Sequence, residues 1–246
     1  MRRCILLFGI TSVVSLVLLL REILVLFGAC ELALPATFAI WLLLLAMACG
    51  PLGRMIRSRE RLTSHYSGLL AMAGLLTPAT LVGARLLHRA LLSHPGEAAG
   101  LGGMLLVTML SLAPLCVVLG LIHAVAIALG VRRHPDPFVG PSEVRLPTAS
   151  GGAVASVAFA LLLSRTLGAL DIALLIGAMN LLAAFALWWH GLRRPRWFGP
   201  AALLLFLVAV SLFATPLGTV LDFASQTLRQ TDGTLRAAID TTHGRI

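Results

Sequence analysis

The sequence predicts an all-α integral membrane protein, a bundle of about seven transmembrane helices with a short amphipathic C-terminal tail. Three observations carry this. Of 246 residues, 59% are hydrophobic and 12% are charged, against roughly 45–50% and 25% in soluble domains. The apolar residues gather in runs near the ~20 residues that a bilayer requires. All 19 basic residues are arginines, mostly in short segments between those runs, which is the positive-inside pattern. A soluble domain of this length could not cover its surface with so few charges. The composition therefore excludes a soluble globular enzyme, a disordered chain and a disulfide scaffold.

The first span follows Arg2 and Arg3 and runs from Cys4 to Phe27. Its basic start and the sequence Phe27-Gly28-Ala29-Cys30 resemble a cleavable lipoprotein signal. Arg21 and Glu22 interrupt the apolar run, however, so a retained helix is expected. The second span runs from Leu32 to Cys49, followed by a polar loop with Arg54, Arg57, Arg59 and Arg61. The third, Gly68 to Leu92, carries Pro78 and should kink there. The fourth, Gly103 to Gly130, exceeds the length of a span and should tilt or project. A loop from Val131 to Pro147, with Arg132, Arg133 and Arg145, leads to the fifth span, Ala149 to Leu163. The sixth runs from Leu170 to Trp189, and Arg193, Arg194 and Arg196 follow it. The seventh is Pro200 to Pro216. Residues 1–217 thus form the membrane domain and 218–246 the tail. In the tail, Val220, Leu221, Ala224 and Leu228 repeat at helical spacing, and Asp232-Gly233 marks a turn.

Counting arginines orients the chain. With the N-terminus inside, the inner segments carry Arg2, Arg3, Arg54, Arg57, Arg59, Arg61, Arg132, Arg133, Arg145, Arg193, Arg194 and Arg196. The outer ones carry Arg21, Arg85, Arg89 and Arg165. Trp188, Trp189 and Trp197 flank the last inner loop, at the headgroup depth that indoles prefer. The expectation is a multi-pass protein of the inner (plasma) membrane with a cytoplasmic N-terminus, and an odd number of spans puts the tail outside.

The partner implied by this reading is the lipid bilayer. The net charge of +9 does not point to nucleic acid, because no basic face with interleaved aromatics exists. No metal or other cofactor is expected. Cys4, Cys30, Cys49 and Cys116 form no Cys-x-x-Cys pair, and no Cys/His cluster has zinc-ligand spacing. A homo-oligomer is left open.

Charges at membrane depth are costly and are functional suspects. Arg21, Glu22, Glu31, Arg85, Arg89 and Asp171 all fall near the outer leaflet in this topology. They suit an outward polar pocket, or equally interhelical salt bridges with snorkelling arginines. Arg21 and Glu22 are adjacent, point about 100° apart, and must seek different helices. Arg85 or Arg89 suits Glu22, and Glu31 or Asp171 suits Arg21. Glu31 and Asp171 also stand where a helix N-terminus favours a carboxylate.

His123 offers haem ligation, proton relay or hydrogen-bonded packing, and packing is favoured because no second histidine matches its depth. Asn180 suits an interhelical hydrogen bond at mid-membrane. Ser150 invites a protease reading, but it lies at the membrane edge and its only candidate base is His190, in a loop. Gly152, Ser156 and Ala160 form a small-residue stripe that would let another helix approach. Leu101-Gly102-Gly103 opens a helix and is not a phosphate loop, since no strand precedes it.

The segment Ser15-Leu16-Val17-Leu18-Leu19-Leu20-Arg21-Glu22-Ile23-Leu24-Val25-Leu26-Phe27, followed by Glu31-Leu32, resembles the first helix of membrane-bound spermidine synthase-like proteins. Leu112-Ala113-Pro114 with Gly120-Leu121-Ile122, Glu143 with Gly151-Gly152, and Asn180-Leu181-Leu182-Ala183-Ala184 are similar to further parts of that family. Its members fuse a multi-span region to a C-terminal aminopropyltransferase domain. Asp240-Thr241-Thr242-His243-Gly244-Arg245-Ile246 resembles the first strand of that domain. Departures occur at Leu16, where the family often has glutamine, at Ala29-Cys30, where it has Gly-Asn, and around Ile122-His123-Ala124, where Phe-Pro is missing. The synthase's nucleotide-binding core and catalytic aspartates have no counterpart in this chain, so no catalytic residue is carried over. The resemblance implies a non-catalytic membrane region that anchors, or supplies substrate to, a spermidine synthase-like catalytic domain or subunit. The alternative is a small transporter of polyamine-like or other solutes.

Overall fold

The computed structural model describes residues 2–28, 30–57, 62–92, 100–133, 138–189, 198–214, 240–241 and 244–245. These residues are helical apart from short turns and one small C-terminal ladder. The helices are α1 (Arg2–Leu26), α2 (Ala33–Met47), α3 (Gly53–Arg57), α4 (Leu62–Leu92), α5 (Leu101–Arg133), α6 (Val139–Ala158), α7 (Ser164–Thr166), α8 (Ala169–Trp189) and α9 (Phe198–Ala214). Six continuous helical rods are long and apolar enough to cross a membrane: Arg2–Leu26, Ala33–Ile56, Leu62–Leu91, Leu101–Arg133, Val139–Thr166 and Ala169–Trp189. The expected seventh span is α9. Its 17 residues extend about 25 Å, less than the ~30 Å hydrocarbon core.

Local sequence explains where the rods start and stop. Pro35, Pro141 and Pro200 each sit in the first turn of a helix, where a missing N–H costs nothing. Gly28, at φ 63°, turns the chain out of α1, a conformation that side chains with a Cβ rarely adopt. Asp171 accepts a hydrogen bond from the Gly168 backbone N–H at 3.2 Å, the reach-back half of a capping box at the start of α8.

Several boundaries differ from the sequence expectation: the third helix, for one, begins at Leu62 and not at Gly68. The second rod does not end at Cys49. A π-helical turn, Ala48–Leu52, takes in Pro51 and carries the helix on to Arg57. The wider turn accommodates the proline that would otherwise break the rod. The expected loop from Val131 to Pro147 is mostly helix, because α5 continues to Arg133 and α6 begins at Val139 with Pro147 inside it. Prolines are tolerated within membrane helices. Here the turn is seated by a close approach: a Cβ on Gly130 would lie 2.4 Å from the Gly140 carbonyl oxygen. A second π-helical turn, Phe159–Leu163, joins α6 to α7.

Helix α1 is the hub and packs against α2, α4, α5, α6 and α8. Around it α2, α5, α4, α8 and α9 are neighbours in that order. Glycines allow the tightest crossings. A Cβ on Gly9 would meet the Thr148 carbonyl oxygen at 2.2 Å, and one on Gly151 would meet the Leu6 carbonyl oxygen at 2.2 Å. The buried stripe of α6 is therefore Val144, Gly151, Gly152 and Ala155. Of the expected small-residue stripe, Gly152 is buried within the chain, and Ser156 and Ala160 are exposed. The α6 helix is turned so that its glycine pair faces α1, and Ser156 hydrogen-bonds its own helix at Gly152 O, 2.9 Å away.

At the C-terminus, β1 (Asp240–Thr241) and β2 (Gly244–Arg245) pair antiparallel, Asp240 opposite Arg245. The single strand implied over Asp240–Ile246 is thus folded back on itself. The expected amphipathic helix around Val220–Leu228, the Asp232-Gly233 turn, Trp197, His190 and Arg59, Arg61, Arg193, Arg194 and Arg196 lie outside the described residues.

Candidate functional site

The buried polar residues of α1 recur at helical spacing. Thr11, Ser15 and Glu22 share one face, at 1%, 0% and 5% exposure. Glu22 stands four residues before the end of α1, about 6 Å along the axis. Facing it is Arg85 of α4, which is fully buried. The Arg85 Nε donates to Glu22 Oε1 at 2.6 Å and its Nη2 donates to Oε2 at 3.1 Å. This is a side-on, two-point guanidinium–carboxylate pair, the geometry in which each planar group satisfies the other. Among the described residues Glu22 is the one buried acid. An ion pair in so dry a place gains strongly from mutual attraction because each charge would be very costly alone.

Of the two candidate partners for Glu22, the structure chooses Arg85 and leaves Arg89 exposed. Arg21, the neighbour of Glu22, is half-buried. Glu31 is exposed, takes part in no ion pair among the described residues, and does not cap α2, whose N-cap is Leu32 with no side-chain bond. Of the two partners expected for Arg21, Glu31 or Asp171, Glu31 does not pair with it and lies exposed outside the helix. Asp171 serves the start of α8, as described above. The six charged residues thus include one buried pair, Glu22 with Arg85, and one helix-end acid, Asp171.

Asn180 sits fully buried on α8. Its Nδ2 donates to Thr11 Oγ1 of α1 and to its own helix at Ile176 O, each at 2.9 Å. The Thr11 hydroxyl faces Asn180 Oδ1 at 3.1 Å. His123 is half-buried on α5, with its ring 5.9 Å from that of Phe8. The sequence reading did not single out three further ties. Tyr66 OH donates to Cys4 O at 3.1 Å, Ser67 Oγ donates to Ala184 O at 3.2 Å, and Arg2 pairs with Glu143 at 3.1 Å. The spacing of Thr11, Ser15 and Glu22 was a signal for the buried α1 face. Nothing in the sequence marked Tyr66 or Ser67.

Chemically, these groups bind helix to helix. They include no nucleophile held by a general base. Among the described residues no group of three His, Cys, Asp or Glu side chains is placed to hold a metal ion, and the four cysteines are free, Cys30 exposed and Cys116 buried. Comparison with protein families, with curated proteins and with solved structures finds no match for this chain.

Proposed function

We propose that the chain is the non-catalytic membrane region of a spermidine synthase-like protein, holding an aminopropyltransferase domain at the membrane or supplying substrate to it. The family enters through the residues around Arg21-Glu22 and the tail. The observation that carries the anchoring role is the two-point engagement of Glu22 by Arg85. A pathway for a cationic polyamine calls for an acid able to exchange partners at depth. The one buried acid among the described residues has both oxygens taken by Arg85, which fits a static tie.

The proposal includes seven spans in the inner membrane with the N-terminus inside. At the end of the bundle holding the start of α1 lie Arg2, Arg3, Arg54, Arg57, Arg132, Arg133 and Arg145 with Glu143 as the one described acid. At the other end Arg21, Arg85, Arg89 and Arg165 are offset by Glu22, Glu31 and Asp171. This asymmetry supports the orientation. The α9 helix packs along α8, and its length falls at the short end of the range for a span. With seven spans an attached domain works outside the cytoplasm.

Proteoliposomes containing the chain test the role. They should take up no more labelled putrescine than empty liposomes, and the purified chain should form no spermidine from putrescine and decarboxylated S-adenosylmethionine. DNA beyond the Ile246 codon should continue in frame into a synthase domain. Uptake abolished by Glu22→Gln would overturn the anchor in favour of a transporter.

A further inference from the structure

Arg2 and Arg3 begin α1 side by side, yet they are used differently. Adjacent residues on a helix point about 100° apart. Arg2 turns to α6 and pairs with Glu143 at 3.1 Å. Arg3 is exposed, has no ion-pair partner among the described residues and borders the space between α1 and α8. There it stands at the rim of a cleft of about 550 Å³ between α1 and α8. The walls below it are apolar: Leu6 and Ile10 from α1, and Leu182, Ala183 and Ala186 from α8. The α8 wall runs from Met179 to Leu187, about 12 Å of helix.

We propose that this cleft binds one anionic phospholipid, its phosphate on Arg3 and the first part of one acyl chain between α1 and α8. Three observations favour that occupant. The cleft is concave and apolar, where an acyl chain fits and a free phosphate gains nothing. Its single charged group is a guanidinium without an ion-pair partner among the described residues, and the planar fork suits phosphate oxygens. The depth is right: Trp188 and Trp189 directly follow the last cleft residue on α8, with ring distances to Phe185 of 5.9 and 6.0 Å, and such aromatics mark the headgroup level. The surrounding end of the bundle, with seven described arginines to one glutamate, attracts anionic lipid. A second cleft, on the α6 side, also borders Arg3. Lipid binding of this kind needs only that the bundle sits in a bilayer and does not depend on the anchoring role.

The test is lipid retention by the purified full chain. It is delipidated in detergent, offered phosphatidylglycerol or phosphatidylcholine with identical acyl chains, and read by native mass spectrometry. Phosphatidylglycerol should be retained about fivefold better, the gain of roughly one arginine contact near a membrane surface. Arg3→Gln should remove that preference, Arg3→Lys should keep most of it, and Arg2→Gln should leave it. Ala186→Trp, which fills the cleft and spares every charge, should reduce retention of both lipids. Equal retention of the two lipids, an equal effect of Arg2→Gln and Arg3→Gln, or displacement of phosphatidylglycerol by millimolar inorganic phosphate would overturn the proposal.

Discussion

Glu22 and Arg85 lie 63 residues apart in sequence and meet side-on, with both carboxylate oxygens engaged at 2.6 and 3.1 Å. The pair ties α1 to α4 near the end of the bundle away from the N-terminus. Both side chains are buried, which makes either charge costly to leave without the other.

That dependence predicts strong coupling. Glu22→Gln or Arg85→Gln alone should destabilise the bundle by about 3–5 kcal/mol, because each strands a buried charge. The double variant should cost clearly less than the sum of the two. Arg89→Gln, at an exposed position, should change stability by no more than about 0.5 kcal/mol. Unfolding in mixed micelles measures all four, and additive effects of the first two would show that the pair is not coupled.

Gly74 of α4 and Gly177 of α8 cross so closely that a Cβ on either would meet the other's carbonyl oxygen, at 2.7 and 2.5 Å. Neither carbonyl can yield without moving a helix. Gly177→Ala should therefore cost about 1–3 kcal/mol. Gly83 lies on the same helix as Gly74, and a Cβ added there would meet nothing within 4 Å. Gly83→Ala should thus be neutral or stabilising by up to about 1 kcal/mol. Melting temperatures in one detergent compare the two. A Gly177→Ala protein as stable as Gly83→Ala would refute the close crossing.

Asn180 and Thr11 hold α8 to α1 midway along α8. Asn180→Leu should cost about 0.6–1.7 kcal/mol, the usual range for such a bond between membrane helices. Combining it with Thr11→Val should cost less than the two separately, since the hydroxyl left without its partner is removed as well. A cycle with zero coupling energy would place these groups outside any shared bond.

Cys30 is exposed in the turn between α1 and α2, whereas Cys116 is buried in the bundle. In intact cells stripped of outer barriers, a membrane-impermeant maleimide should label Cys30 from outside and spare Cys116. Reporter fusions after Arg61 and Arg196 should read cytoplasmic, and one after Gly233 external. A cytoplasmic reading at Gly233 would leave α9 outside the set of spans and return the C-terminal residues to the cytoplasm.

The set of long apolar helices was legible because it depends on local quantities: run length and the near absence of charge within the runs. Asp171 at the start of α8 was legible for the same reason, since a carboxylate and a helix end lie three residues apart. The choice of Arg85 over Arg89 was not legible. Both sit on one face of α4 about a turn apart, and only the axial position of α4 against α1 buries one and exposes the other. The packing face of α6 was missed for a related reason. The sequence offers Gly151 and Gly152 side by side, and the structure turns Gly151 and Ala155 inward while Ser156 and Ala160 face out. In a soluble helix the polar face betrays which side is buried. Here the helices are apolar all round, because lipid and protein interior are alike in polarity. The sequence by itself therefore determined which segments are helices suited to a bilayer and where charge gathers along them. Only the tertiary structure decided which faces meet, because close backbone approach and paired polar groups, not the hydrophobic pattern, select them.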